Sequence, residues 1–435
     1  MLDLKIINGT AITPNGRERI DIGVKDEHIV EFGDLSNTNA TKTIDASGKF
    51  VLPGIIDTQV HFREPGNEHK ENLESGTKGA VLGGITGVFE MPNTNPPTTT
   101  PQALQDKLDR ASKKAWCDYA FYVGGTPDKA ADWHLLEELP GCCGIKIFMG
   151  SSTGNLLVDQ DEAIANILSQ TTRRAAIHSE DEARLKERFY LAEQGGHAKY
   201  HPIWRDEETA IRSTKRVLNI ARKTGGKVHV LHITTAEEME ILAKNKDICT
   251  VEVLPQHLTF NDSIYEDLGS LAQMNPPIRA ERHQKALWNA INSGVVDILG
   301  SDHAPHTLEE KAKPYPQSPS GLTGVQTLVP IMLDHVNNGK LTLERFVDIT
   351  AHGANRVFSL KKKGRIAKGY YGDFTIVDME QQWTITNDWI ASKAGWTPYH
   401  NRKVKGKPTH TIIRGNIIMA DDQLTKHQMQ PIELN

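Results

Sequence analysis

Between residues 51 and 300, short apolar and β-branched runs alternate eight times with longer segments of helical spacing. Strands are expected over 51–56, 84–92, 119–123, 144–149, 174–178, 227–232, 249–254 and 295–300. Helices are expected over 73–81, 101–115, 127–139, 159–170, 207–224, 236–244 and 279–293, with two more near 325–337 and 343–358. Eight strands in alternation with helices is the count of a closed (β/α)8 barrel, the TIM barrel. An open doubly wound sheet also alternates, but it usually has fewer strands and a glycine-rich first turn. No Gly-x-Gly-x-x-Gly follows the first strand here. A barrel also carries a demand that can be checked, because its chemistry lies at the C-terminal ends of the strands.

The two ends of the chain read differently. Residues 2–50 form short strands with tight turns at Asn8-Gly9 and Asn15-Gly16, and similar composition returns after residue 363. The expectation is an α/β protein with a small β-sandwich domain built from both termini. Residues 1–52 and 359–435 form the sandwich, and 53–358 form the barrel. The polar tail after residue 420 is expected to be partly disordered.

Composition removes several function classes. The 435 residues carry a net charge of -5, which gives no basic field for nucleic acid. No apolar run reaches membrane-spanning length, so no membrane partner is expected. The start, Met1-Leu-Asp-Leu-Lys-Ile, has no signal-peptide organisation. The four cysteines, Cys117, Cys142, Cys143 and Cys249, show no ligand-type pairing, which fits a reducing, cytoplasmic location.

Polar residues then fall where a barrel would use them. The stretch Pro53-Gly-Ile-Ile-Asp-Thr-Gln-Val-His-Phe-Arg63 begins as a buried strand and turns polar, with Asp57, Gln59 and His61 on one face and Arg63 continuing it. Asn93 follows strand two, Lys146 lies in strand four, His178 ends strand five and His232 ends strand six. Gln256 and His257 follow strand seven, and Asp302 follows strand eight. Singly, each is weak: His178 or His232 alone reads as a core histidine, His229 as structural, and Lys146 as a lysine paired with an acid at the barrel mouth. Together, imidazoles and a carboxylate at strand ends make a site for zinc or a related divalent ion. Such an ion lowers the pKa of its water to about 7 and polarises a carbonyl. Lys146 cannot ligate as an ammonium, but it could as a carbamate. Asp302 is placed to ligate and to handle a proton, and Arg63 and Asn93 offer fixed donors to an anionic substrate.

The sequence resembles the dihydroorotases within the cyclic amidohydrolases. The motifs that carry the resemblance are Pro53–Gly66, Met91-Pro-Asn-Thr-Asn-Pro-Pro97, Gly144-Ile-Lys-Ile-Phe-Met-Gly150, Met274-Asn-Pro-Pro-Ile-Arg279, Gly300-Ser-Asp-His-Ala-Pro-His306 and Thr411-Ile-Ile-Arg-Gly415, and they cover almost the whole chain. The resemblance implies that His61, His178, His232 and Asp302 ligate metal and that Lys146 is the carboxylated, bridging lysine. It implies two zinc ions per chain. Arg63, Asn93, Asn275 and His306 fall on substrate-binding positions, and Asp302 on the catalytic acid–base.

Two departures stand out. The family usually has His-x-His on the first strand where this chain has Gln59-Val60-His61, and Pro-His-His after strand seven where it has Pro255-Gln256-His257. Gln59 is therefore read as either a weak ligand or a residue that orients one. The implied reaction is the reversible, metal-dependent hydrolysis of dihydroorotate to N-carbamoyl-aspartate in pyrimidine synthesis. Its partner is a small anionic cyclic amide, and a homodimer stays open. Two alternatives stand beside it: an allantoinase- or hydantoinase-like enzyme, in which Arg63 would have no carboxylate to hold, and a scaffold that kept the barrel and lost the chemistry. A flexible loop near 305–320 is expected, on composition, to close over the ring.

Overall fold

The computed structural model describes residues 1–128, 130–151 and 156–435. Eight parallel strands lie in sequence order in one sheet: Ile55–Val60, Ile85–Glu90, Asp118–Gly124, Cys142–Phe148, Ala175–His178, Val228–Val230, Cys249–Val253 and Ile298–Leu299. Helices cover the outside, so both faces of the sheet are buried, which is why the strands read as near-continuous apolar runs. Ile56, Phe89, Tyr122, Ala176, Leu231 and Ile298 pack inside the barrel.

The eighth strand is two residues long rather than the six expected, and the seam with the first strand is closed by other means. Val60 bridges to His303 in parallel, and the His61 N–H donates to the His303 carbonyl at 2.7 Å. Asp57 Oδ1 accepts from the Ser301 N–H at 3.0 Å. Asp57 thus serves the seam, although it alternates in step with Gln59 and His61.

The strand expected over 51–56 is two strands. Phe50–Pro53 belongs to the β-sandwich, and Ile55–Val60 opens the barrel. Gly54 makes the crossing, since a Cβ there would lie 2.5 Å from Thr86 Oγ1 and 2.7 Å from Asp373 Cβ. The sandwich draws on both termini. A seven-stranded sheet places Arg402–Ile413 and Phe374–Ile385 beside Phe50–Pro53 and Thr10–Thr13, and a four-stranded sheet comes from residues 2–45. Leu4, Ile6, Ile22, Val24, Phe374 and Ile376 pack in its core.

Other differences are local. The helix expected over 127–139 spans Trp133–Glu137, and Lys129 lies outside the described residues. The helix expected over 343–358 is broken by a π-turn at Asp348–His352. A helix that sequence patterning missed, Glu182–Gly195, follows the fifth strand, with Asp181 as its N-cap and Gly196 (φ 62°) as its C-cap. The tail is anchored rather than disordered: Ile432 is buried, and its N–H donates to the Tyr119 carbonyl at 2.8 Å, at the start of the third barrel strand. Among the described residues, no helix is long and apolar enough to cross a membrane.

At that same N-terminal end of the barrel, Lys363 lies 2.7 Å from Asp118 and 2.6 Å from Asp373. Arg414 reaches Asp118 at 3.0 Å and Glu27 at 3.3 Å. This buried network joins barrel and sandwich through the Thr411–Gly415 motif.

Candidate active site

One cavity at the C-terminal end of the barrel is lined by Gln59, His61, Arg63, Asn93, Lys146, His178, His232, Asn275 and Asp302, with Phe148, Ala304, Ser320 and Gly321. Of the residues that the resemblance places at the site, His306 is not part of this lining, and neither are Asp57, Gln256 and His257 from the strand-end pattern. His306 sits behind Arg63, with Nε2 3.3 Å from Arg63 Nη2 and 3.1 Å from the Ser320 carbonyl, and Nδ1 3.2 Å from Lys70 Nζ.

The strand ends aim the side chains. Gln59 and His61 alternate with Val60 and so share its opposite face. Three site residues, Arg63 (φ 63°), His232 (φ 39°) and Asp302 (φ 45°), take the left-handed backbone conformation that non-glycine residues avoid. Such strain persists where the surrounding fold over-determines it, and it clusters at functional sites.

Asp302 Oδ1 is the meeting point on one side. It accepts from Gln59 Nε2 at 3.1 Å and lies 3.1 Å from His61 Nε2. The other His61 nitrogen, Nδ1, is 2.7 Å from Asn93 Oδ1. A neutral imidazole that donates to Asn93 turns a lone pair, not a proton, toward the carboxylate. Burial also disfavours the imidazolium, pushing the His61 pKa down. On the other side, His178 Nδ1 faces His232 Nε2 at 3.1 Å, and burial lowers both pKa values. Lys146 lies deeper, 1% exposed, with its Nζ 4.4 Å from the Phe148 ring centroid and no hydrogen-bond partner among the described residues. Burial pushes its pKa down to about 7, against the pull of Asp302 and Glu252. His232 Nδ1 and Gln59 Oε1 are likewise buried without a partner.

Buried polar atoms are normally satisfied, so a cavity where acceptors converge and several atoms stay unpaired fits a bound cation. Among the described residues no group of three or more His, Cys, Asp or Glu could hold a metal ion by itself. Lys146 stands at the same cavity, and burial favours the uncharged form of its amine.

Arg63 is buried, its pKa pushed down to about 10 by burial, and its Nε donates to the Pro305 carbonyl at 3.2 Å. Asn275 Oδ1 lies 2.8 Å from His201 Nε2. The segment expected to be a flexible loop carries a short helix, Leu308–Lys311. The buried Lys311 ammonium donates to the carbonyls of Gln273, Pro319 and Gly321 at 2.9–3.1 Å, which fixes the cavity wall at Ser320 and Gly321. Gln256 donates to the Ser301 carbonyl at 2.8 Å, and His257 Nε2 lies 3.1 Å from the Pro276 carbonyl, so both brace the rim. His229 is in the core, with Nδ1 2.9 Å from Thr250 Oγ1.

Two residues that sequence reasoning did not find complete the site. Glu180 Oε2 is 2.8 Å from His178 Nε2, and Arg205 grips the same carboxylate at 3.0 Å and 2.5 Å. Burial alone would raise the Glu180 pKa, but Arg205 and His178 outweigh it and hold it well below the usual carboxylate range. Neither residue stands in a spacing that marks it.

A parallel barrel with His, Lys and Asp converging at its C-terminal rim carries its polar groups where barrel enzymes place their chemistry, and a sandwich from both termini flanks it. The family model described as "Amidohydrolase family" matches residues 50–418, and the chain belongs to that family. It is 38% identical over 409 residues to a dihydroorotase of Pyrococcus abyssi, spanning 93% of this chain and 92% of that protein. It is 34% identical over 442 residues to a dihydroorotase of Methanosarcina mazei, spanning 98% and 96%. In three dimensions it is similar to an L-hydantoinase (dihydropyrimidinase) from Arthrobacter aurescens, with a TM-score of 0.95, 27% identity and coverage of 99% and 100%. A dihydropyrimidinase from Brevibacillus agri matches with a TM-score of 0.89, 26% identity and coverage of 98% and 97%. The family supports a cyclic amidohydrolase with enzymatic activity.

Proposed function

We propose that this protein is a dihydroorotase, interconverting dihydroorotate and N-carbamoyl-aspartate. The observation that carries this reading is the buried Arg63 guanidinium lining the same cavity as Lys146 and Asp302. A guanidinium with no carboxylate of its own at ion-pair distance among the described residues suits a ring substrate that brings one. Asn93 and Asn275 line the same cavity and add uncharged polar groups to that clamp. The relatives named as dihydroorotases agree with this choice of ring.

His61, Lys146 as its carbamate, His178, His232 and Asp302 would hold zinc, two ions per chain. When bound, the metal supplies Lewis acidity, polarising the ring carbonyl and easing deprotonation of water. The chain's own residues do the rest. Arg63 anchors the substrate carboxylate and orients the ring. Asp302, steadied by Gln59, accepts the proton of the attacking water and delivers it to the departing ring nitrogen. Ring opening yields a second carboxylate and releases a proton overall, so it is favoured as pH rises, and ring closure is favoured at lower pH. Gln59, with its amide N–H on Asp302, acts as an orienting residue for that carboxylate.

A second reading, a hydantoinase-like activity, draws on the similarity to solved hydantoinases. The test offers dihydroorotate, allantoin, hydantoin and dihydrouracil side by side to zinc-replete protein and follows amide absorbance. Turnover of dihydroorotate is expected. Turnover of hydantoin or allantoin without dihydroorotate would overturn the assignment, and no turnover of any would favour a scaffold.

A further inference from the structure

We propose that Glu180, held by Arg205, is the positioning residue that decides which nitrogen of His178 faces the catalytic cavity. This rests on reading that cavity as a divalent-metal site. The argument is one of donors and acceptors. A guanidinium has only donors, so both Glu180 oxygens must accept from Arg205, Oε1 from Nε at 3.0 Å and Oε2 from Nη2 at 2.5 Å. Oε2 also lies 2.8 Å from His178 Nε2. A carboxylate committed in this way can only accept, so the His178 Nε2 carries the proton. In the neutral ring Nδ1 is then left as a lone pair, and Nδ1 is the atom that faces His232 Nε2 at 3.1 Å. The wrong tautomer would point an N–H where a ligand atom is needed.

The surroundings hold this chain of contacts in place. Glu180 is 0%, and Arg205 and His178 each 2%, exposed. Arg205 Nη2 also donates to the Ser151 carbonyl at 2.8 Å, and the Arg205 carbonyl accepts from Arg279 Nη1 at 2.9 Å. Gly150 gives Glu180 its room, because a Cβ there would come within 2.6 Å of the Glu180 carbonyl oxygen. Burying a carboxylate and a guanidinium is costly, and this pair lies outside the lining of the catalytic cavity. The Glu180 carboxylate meets the site through the His178 ring.

Glu180→Gln tests the idea with almost no change of shape. The carboxamide has one acceptor oxygen where the carboxylate has two, so it cannot accept from Arg205 Nε, Arg205 Nη2 and His178 Nε2 together; the arrangement that keeps its oxygen on Arg205 Nε turns its NH2 toward His178 Nε2 and moves the ring proton to Nδ1. Two readouts separate this inference from the metal reading it rests on. The first is the 15N spectrum of histidine-labelled, metal-free protein. An Nε2–H pattern for His178 is expected in the wild type and an Nδ1–H pattern in Glu180→Gln, with the resonance assigned by its loss in His178→Ala. The same tautomer in both proteins would overturn the inference. The second is zinc retention against a chelator. A loss of about 10- to 100-fold in zinc affinity is expected for Glu180→Gln, at an unchanged far-UV spectrum. Arg205→Lys, which keeps a donor on Glu180, should recover part of it relative to Arg205→Met. Full zinc retention in Glu180→Gln, while His232→Ala loses zinc, would refute the inference alone. Equal retention in wild type and His232→Ala would refute the metal reading and this inference with it.

Discussion

Two buried charge clusters lie at opposite ends of the barrel. At the N-terminal end, Lys363 and Arg414 meet Asp118 and Asp373, and every contact is made within the chain. Burial alone would lower the Lys363 pKa, yet Asp118 and Asp373 overcome it and hold it above the ordinary lysine value. At the C-terminal end, Lys146 is as deeply buried but has no hydrogen-bond partner among the described residues, and burial prevails, bringing it to about 7. Both sites carry a lysine beneath barrel strands. One is neutralised by its own fold and fastens two domains together. The other is left incomplete, as are His232 Nδ1 and Gln59 Oε1 beside it. Satisfied burial marks structure, and unsatisfied burial at a strand end marks a place for a ligand.

The contrast breaks most sharply under mutation. Asp302→Asn keeps the shape of the rim and should cost about 10²- to 10⁴-fold in kcat, in both reaction directions, with the melting temperature nearly unchanged. Steady-state rates with both substrates, beside a thermal melt, check this. Lys363→Met should do the reverse. It leaves Asp118 and Asp373 with only Arg414, and about 3–5 kcal/mol of stability should be lost in denaturant titrations. Activity per folded molecule should hold, and a fall in kcat without loss of stability would erase the distinction between the two ends.

Arg63→Met should cost about 2–4 kcal/mol in kcat/KM for dihydroorotate and spare a neutral ring such as dihydrouracil. Equal loss on both would contradict the carboxylate clamp. A further effect is expected at the seam. Burial raises the Asp57 pKa to about 7, against the hydrogen bonds from Ser301 and Gln59. A raised folded-state value means the unfolded chain ionises first as pH rises, so this group's stabilisation is full below about 3.8 and lost as pH climbs through about 7. Asp57→Asn keeps an acceptor for the Ser301 N–H and should flatten the pH dependence of stability over that window.

The sequence made the rim easier to read than its supports. His61, Lys146, His178, His232 and Asp302 each break an apolar strand or end one, and a polar residue in such a run is visible without a structure. The β-sandwich followed from turn signals at both ends. Helix Glu182–Gly195 was missed because only Glu182, Leu185 and Ala192 face inward, while Phe189 and Tyr190 are exposed, so its apolar stripe is thin. Asp181 and Gly196 were legible caps that could have revealed it. The eighth strand is shorter than its apolar run because the ladder stops at Leu299, and the Asp57 side chain takes over the pairing. Glu180 and Arg205 meet through the fold although they stand 25 positions apart in the numbering, with no pattern to join them. The tail shows the same limit, since two buried side chains, Met429 and Ile432, and backbone hydrogen bonds to Tyr119 anchor a segment whose composition is polar.

The claim that the C-terminal rim is built for metal is tested most directly by a crystal of zinc-reconstituted protein grown with bicarbonate, measured on both sides of the zinc absorption edge. The account predicts anomalous density among His61, Lys146, His178, His232 and Asp302, with extra density on Lys146 Nζ for a carbamate. An anomalous map empty at those residues, from protein that still turns over dihydroorotate, would contradict it.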